Sequence, residues 1–246
     1  MPETTHKIKR DKLMKNLMKA SFLASTLVAT ALSSHASTEV STNKLLTVNF
    51  DSREVVKIEA GDFHFLPGQP APIHTHAAPA VGYVSKGAIL YQVEGEEPQL
   101  LKEGDAFYEP AGPRILRFDN ASKTQEAVFI DFNLQQAGEP FIVFEKPLTE
   151  DIDRRSLPTV ELNGQKIDQV DIYVSELAPG AQTKLASQQS IMAYVAEGVV
   201  KVKIKGQKTQ RIVAGASFSL PSQASKALID NTSDEVAAKV IAFHLK

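Results

Sequence analysis

The stretch Gly68-Gln69-Pro70-Ala71-Pro72-Ile73-His74-Thr75-His76, continuing to Tyr83-Val84-Ser85-Lys86-Gly87, decides how the rest of the chain is read. In an extended strand residues i and i+2 point to the same face, so His74 and His76 enter an interior together or leave it together. The end of the stretch recurs. Tyr83-Val84-Ser85-Lys86-Gly87 returns as Tyr194-Val195-Ala196-Glu197-Gly198, Gly104 and Pro110 as Gly215 and Pro221, and Asn120-Ala121-Ser122 as Asn231-Thr232-Ser233, each 111 residues later. Upstream, Thr47-Val48 and Gly68 return as Thr159-Val160 and Gly180 at an offset of 112, one residue having slipped in the loop after the glycine. A constant offset of this kind predicts two homologous units.

Each unit reads as short strands. Val55-Val56-Lys57-Ile58-Glu59-Ala60, Ile89-Leu90-Tyr91-Gln92-Val93 and Ala127-Val128-Phe129-Ile130-Asp131-Phe132 are rich in β-branched and aromatic residues, and Gly, Pro, Asn or Asp bound them. The second unit supplies Val170-Asp171-Ile172-Tyr173-Val174 and the strand-like stretches 199–204 and 237–243. Many short strands with closely spaced turn signals predict an all-β barrel or sandwich. The charged, proline-containing segment 146–158 reads as a connector.

Gly68, His74, His76 and Gly87, followed by Gly104, Pro110 and Gly112, resemble the two motifs of the cupin superfamily. The first motif runs Gly, His-x-His, Glu, Gly; the second runs Gly, Pro-x-Gly, His, Asn. The resemblance implies a bicupin: two tandem double-stranded β-helix (jelly-roll) barrels, the first over 47–145, a linker over 146–158 and a degenerate second barrel over 159–246. In the family the two His, the Glu and the second-motif His hold a metal. Here Ala80 stands at the Glu position and Ile115 at the His position, while the Asn position is Asp119 by strict spacing, with Asn120 beside it. His74 and His76 therefore remain as candidate ligands for iron, manganese, nickel, copper or zinc. A third ligand is sought among His64, Glu109 and Asp119. In the second barrel the four positions hold Leu185, Ser187, Ile191 and Lys226, so it is expected to be metal-free. Arg117 shares the parity of Ile115 and is a candidate for pairing with an anionic ligand in the cavity.

Composition narrows the function classes. The 246 residues include no Cys, which excludes disulfide scaffolds, thiol catalysis, Cys-ligated zinc and iron–sulfur clusters. A net charge of −2 argues against a nucleic-acid partner. Six of the 27 Lys and Arg lie in residues 1–36, ahead of the apolar run from Ala20 to Leu32 and of Ser34-His35-Ala36. That pattern predicts a secretory signal peptide over 1–36, cleaved after Ala36, with Met14 as an alternative start. The remainder would carry a net charge of −6 and be periplasmic or secreted, without a stable membrane anchor. The expected function is binding of a small organic ligand in the first barrel at the His-x-His site, with a divalent metal as candidate cofactor. The alternatives are a metal-dependent enzyme of dioxygenase, isomerase or decarboxylase type with a nonstandard ligand set, and a structural or interaction protein. Sheet edges make a homodimer plausible under each.

Overall fold

The computed structural model describes residues 39–222 and 226–246; the segment 1–36 read as an export signal lies outside the described residues. In the first half the strands are β1 (Val40–Phe65), β2 (His74–Thr75), β3 (Ala80–Lys86), β4 (Ala88–Val93), β5 (Gln99–Lys102), β6 (Ala106–Glu109), β7 (Arg114–Asn120), β8 (Ala127–Gln135) and β9 (Val143–Phe144). In the second they are β10 (Arg154–Ser156), β11 (Val160–Leu177), β12 (Gln182–Leu185), β13 (Ile191–Glu197), β14 (Val199–Ile204), β15 (Gln210–Val213), β16 (Ser217–Leu220), β17 (Ala227–Asn231) and β18 (Ala238–Leu245). The described residues are thus all-β, and the named strands pair antiparallel throughout.

The repeat seen in the sequence is a repeat of hydrogen bonds. Strands β3 to β6 recur residue for residue as β13 to β16. Asn120 Nδ2 donates to the carbonyls of Phe65, Leu66 and Gln125, while its Oδ1 accepts from Ser122 N. Asn231 makes the same set with Leu177, Ala178, Val236 and Ser233. One buried amide at each site satisfies several loop groups that would otherwise be orphaned, which is why Asn-x-Ser returns unchanged in pattern.

The long strands β1 and β11 pair with each other and join the halves edge to edge. The resulting sheet runs β16-β13-β18-β11-β1-β8-β3-β6, with β10 also paired to β1. A five-stranded sheet, β5-β4-β7-β2-β9, accompanies the first half, and a four-stranded sheet, β12-β17-β14-β15, the second. Three apolar clusters follow. One lies in the first half around Phe63, Phe107, Phe118 and Phe129, and one in the second half around Leu185, Ile191, Val200 and Leu220. The third is shared between the halves, where Phe132 and Phe243 meet with ring centroids 4.7 Å apart.

Strand β8 is buried at every residue. Its even-numbered Ile130, Phe132 and Leu134 enter the shared cluster. Its odd-numbered Phe129, Asp131 and Asn133 therefore face the interior of the first half. Gly82 of β3 lies opposite Asp131 on one side and Phe107 on the other. A Cβ on Gly82 would sit 2.1 Å from Phe107 Cζ and 2.3 Å from the Ile130 carbonyl oxygen. Gly82→Ala is accordingly expected to destabilise the protein by about 1–3 kcal/mol or more through overpacking. A denaturant titration checks this, and an unchanged midpoint would contradict the packing described.

Candidate metal centre

Two of the histidines are placed by the five-stranded sheet. His74 lies on β2, opposite Ile115 of β7 and Phe144 of β9. His76 follows, held by a bridge to Ala111 and by Gly112 N, which donates to the His76 carbonyl at 2.9 Å. Gly112 has φ of 101°, a conformation that favours glycine, so the Pro110-Ala111-Gly112 turn serves to anchor His76.

The carboxylate comes from the opposite sheet. Glu109 ends β6, and in the β3–β6 ladder its partner is Ala80. Directly opposed residues of an antiparallel pair project to the same face. The carboxyl group that the resemblance places at position 80 is thus delivered from the neighbouring strand, over an alanine small enough to leave it room. Asn133 of β8 flanks Ala80 from the other side.

His74, His76 and Glu109 are 5%, 2% and 3% exposed and form a group able to coordinate a divalent metal ion. Nε2 of His74 lies 3.4 Å from Glu109 Oε1, and Nε2 of His76 lies 3.3 Å from Oε2. Both separations are below the ~4.2 Å that two donors each about 2.1 Å from a shared ion can span. The outer nitrogens are already engaged. His74 Nδ1 donates to the Pro72 carbonyl at 2.8 Å, and His76 Nδ1 donates to the Phe141 carbonyl at 3.1 Å, an oxygen that also accepts from Asn133 Nδ2. Such bonds fix ring orientation and turn the remaining nitrogen lone pairs toward a metal. Although it is near Glu109, His76 Nε2 has no hydrogen-bond partner, because the approach is off the bonding direction. A fully buried nitrogen without a hydrogen-bond partner, within 4.8 Å of ligand atoms of a carboxylate and a second imidazole, fits an ion shared among the three.

The electrostatics agree. Burial pulls the His76 imidazole down, but the neighbouring Glu109 charge, with help from Asp131 and the Phe141 carbonyl, outweighs it and holds His76 at about 9. Burial likewise pushes Glu109 up, and the two imidazoles more than reverse this, leaving it well below the usual carboxylate range. At Asp131 the balance goes the other way: burial, followed by repulsion from Glu109, outweighs the lowering by the His76 and Arg154 charges and raises it to about 7.

The three donors open onto a small cavity of about 20 Å³. Its walls are largely aromatic, with Phe63, Phe65, Phe118, Phe129 and Phe144, and the residues Ile142 and Ile152 close it from the segment after β8.

The other residues singled out in the sequence are not brought into this group. His64 is 37% exposed in its side chain and meets Glu126 and Asp62. Arg117 and Asp119 were expected to share the parity of Ile115. Strand β7 is instead bulged there, because Val93 of β4 pairs with Ile115 while the adjacent Gln92 pairs with Arg117. The extra residue reverses the parity beyond Ile115, so Phe118 turns inward. Arg117 Nε pairs with Asp119 Oδ2 at 2.8 Å, and the arginine side chain is 46% exposed. Asp119 also accepts from Ala71 N. In the second half Leu185, Ile191 and Leu220 occupy the positions of His74, Ala80 and Glu109, and all three are buried in apolar contacts. Lys226 is exposed. Sequence reasoning passed over Asp131 and Asn133; the signal was polar residues at alternate positions of an otherwise apolar strand.

Residues 61–133 match the Cupin domain family. This cupin-type domain contains His74, His76 and Glu109. No curated protein matches the chain. Among solved structures, a salicylate 1,2-dioxygenase from Pseudaminobacter salicylatoxidans superposes with a TM-score of 0.53 at 16% identity, over 77% of this chain and 71% of that one. AerE from Microcystis aeruginosa gives 0.55 at 14% identity, over 82% and 98% of the two chains. Vicilin from Corylus avellana (hazelnut) gives 0.57 at 10% identity, over 85% of each. At these identities the likeness is one of fold.

The protonation states make a prediction. With His76 at about 9, the metal-free imidazole carries a proton at pH 7 that a bound metal must displace. Metal affinity should therefore rise about tenfold per pH unit between pH 7 and 9 and level off above, with one proton released per ion at pH 7. Calorimetry in two buffers of different ionisation enthalpy measures that proton, and its absence would contradict the assignment.

Proposed function

We propose that this chain is an exported metal-dependent cupin enzyme of dioxygenase type, acting on a small organic molecule in the cavity of its first half. The observation that carries the reading is the buried His74–His76–Glu109 group, two imidazoles and one carboxylate converging from two sheets. Two histidines and a carboxylate with further positions open is the ligand set of non-haem iron oxygenases. Such a centre, when loaded with ferrous iron, supplies adjacent open positions for substrate and dioxygen. The chain's own residues bind and position the ion: Pro72 and Phe141 carbonyls orient the rings, and the aromatic walls keep water from the site.

This favours the enzyme reading over storage of an organic ligand. The fold likeness to a salicylate 1,2-dioxygenase supports the same direction. The second half, with Leu185, Ser187 and Leu220 at the positions corresponding to His74, His76 and Glu109, is read as a degenerate second cupin barrel that supports the first through the shared core. The basic, apolar and small-residue pattern of residues 1–36 supports export to the periplasm or beyond.

The test is metal analysis of untagged protein purified without added metal, followed by reconstitution with ferrous iron and measurement of dioxygen uptake with a panel of aromatic hydroxy acids and diols. One ion per chain is expected. Glu109→Gln and His74→Ala should each lower metal-dependent uptake by more than about 100-fold, beyond the range seen when only an outer partner of a ligand is lost. A protein that takes up no metal, and whose thermal stability is unchanged by a chelator, would overturn the reading.

A further inference from the structure

Asp131 is not one of the three converging donors, yet its side chain lines the same cavity and is 2% exposed. Its Oδ1 is buried without a hydrogen-bond partner. An orphaned buried carboxylate oxygen is costly, so its persistence calls for a partner that the chain does not supply.

The ladder shows why none is supplied. Asp131 lies between Gly61 of β1 and Gly82 of β3, both directly opposite it. Neither neighbour in its row has a side chain to offer. A Cβ on Gly61 would meet the Phe63 ring at 2.7 Å and Arg154 Nε at 2.8 Å, and one on Gly82 would meet Phe107 at 2.1 Å. The carboxylate therefore stands in a largely aromatic wall, with the Arg154 charge acting on it but no hydrogen bond made to its Oδ1. The adjacent row on the same face holds Asn133, Ala80 and Glu109, so Asp131 is set two residues along the strand, roughly 7 Å, from the level of the metal ligands.

The charges around the cavity select what can approach it. Apart from the two histidines, no cationic side chain lines the cavity. Arg117 is paired outside with Asp119. Arg154 gives Nη2 to Glu59 and stacks on Phe141, with its guanidinium carbon 3.6 Å from the ring centroid. Neither arginine makes an ion pair with Asp131.

Building on the metal-site reading above, we propose that Asp131 is a specificity-determining residue. It selects a small, otherwise apolar molecule that meets the metal with one end and presents a hydrogen-bond donor, hydroxyl or ammonium, to Asp131 with the other.

Short hydroxamates on the zinc-loaded full-length protein test this, because the hydroxamate takes the metal and the far group spans about one strand row. Glycolohydroxamate and glycine hydroxamate are expected to bind about tenfold more tightly than propionohydroxamate, the worth of one hydrogen bond to a charged group. In Asp131→Asn the advantage of glycine hydroxamate over propionohydroxamate should disappear, with zinc stoichiometry retained. The ranking in the unaltered protein stands whether or not the variant folds. Equal affinities, or no hydroxamate binding, in a protein that holds one zinc would overturn the role of Asp131 and leave the metal site intact. Failure to hold zinc would overturn the metal reading, and the inference with it.

Discussion

Strand β8 is buried from end to end, and its two-residue period divides the protein. Ile130, Phe132 and Leu134 turn to the core shared by the two halves, while Asp131 turns to the cavity and Asn133 to His76. A strand packed on both faces cannot slip by one residue without exchanging these two sets. An exchange would place a carboxylate and an amide in the shared core and leave phenylalanine and leucine facing the metal ligands. The register of β8 therefore sets both how the halves associate and where polar groups stand in the site.

Burying Glu109 is feasible only because two imidazoles meet it. A lone carboxylate removed from water is penalised by several kcal/mol, and here that penalty is offset by His74 and His76. The same place in the second half shows the other solution. There Leu220 lies opposite Ile191, and the interior is filled by hydrocarbon. One ladder position thus separates a site able to hold a metal from an ordinary core. Ala80 matters as much by its small size as Glu109 does by its charge, because a larger side chain between Asn133 and Glu109 would separate them from His76.

Much of the fold could be read along the chain. Periodicity and turn residues are local, so the strands around Ile89, Phe129 and Val199 lie where their composition puts them. The internal repeat follows from shared hydrogen bonding at Asn120 and Asn231. The parity of Arg117 and Asp119 did not follow, because it depends on a bulge in β7 that arises from pairing with β4. Nothing near Ile115 in the sequence marks that bulge. Asp131 did not stand out for another reason: along the chain it is one of the alternating polar residues Asp131, Asn133 and Gln135, and its lack of a side-chain partner in its row comes from Gly61 and Gly82, which are distant in the chain.

The sequence by itself determined an all-β chain built on a repeat, with His74 and His76 on one face of a strand, since strand period and repeat offset are properties of linear order. Which carboxylate joins the histidines was decided only by tertiary structure. His64, Glu109 and Asp119 were equal candidates along the chain. Cross-strand register chose Glu109 by setting it opposite Ala80, because a ligand set is a matter of which side chains share a face and a few ångströms, and that is settled by strand pairing.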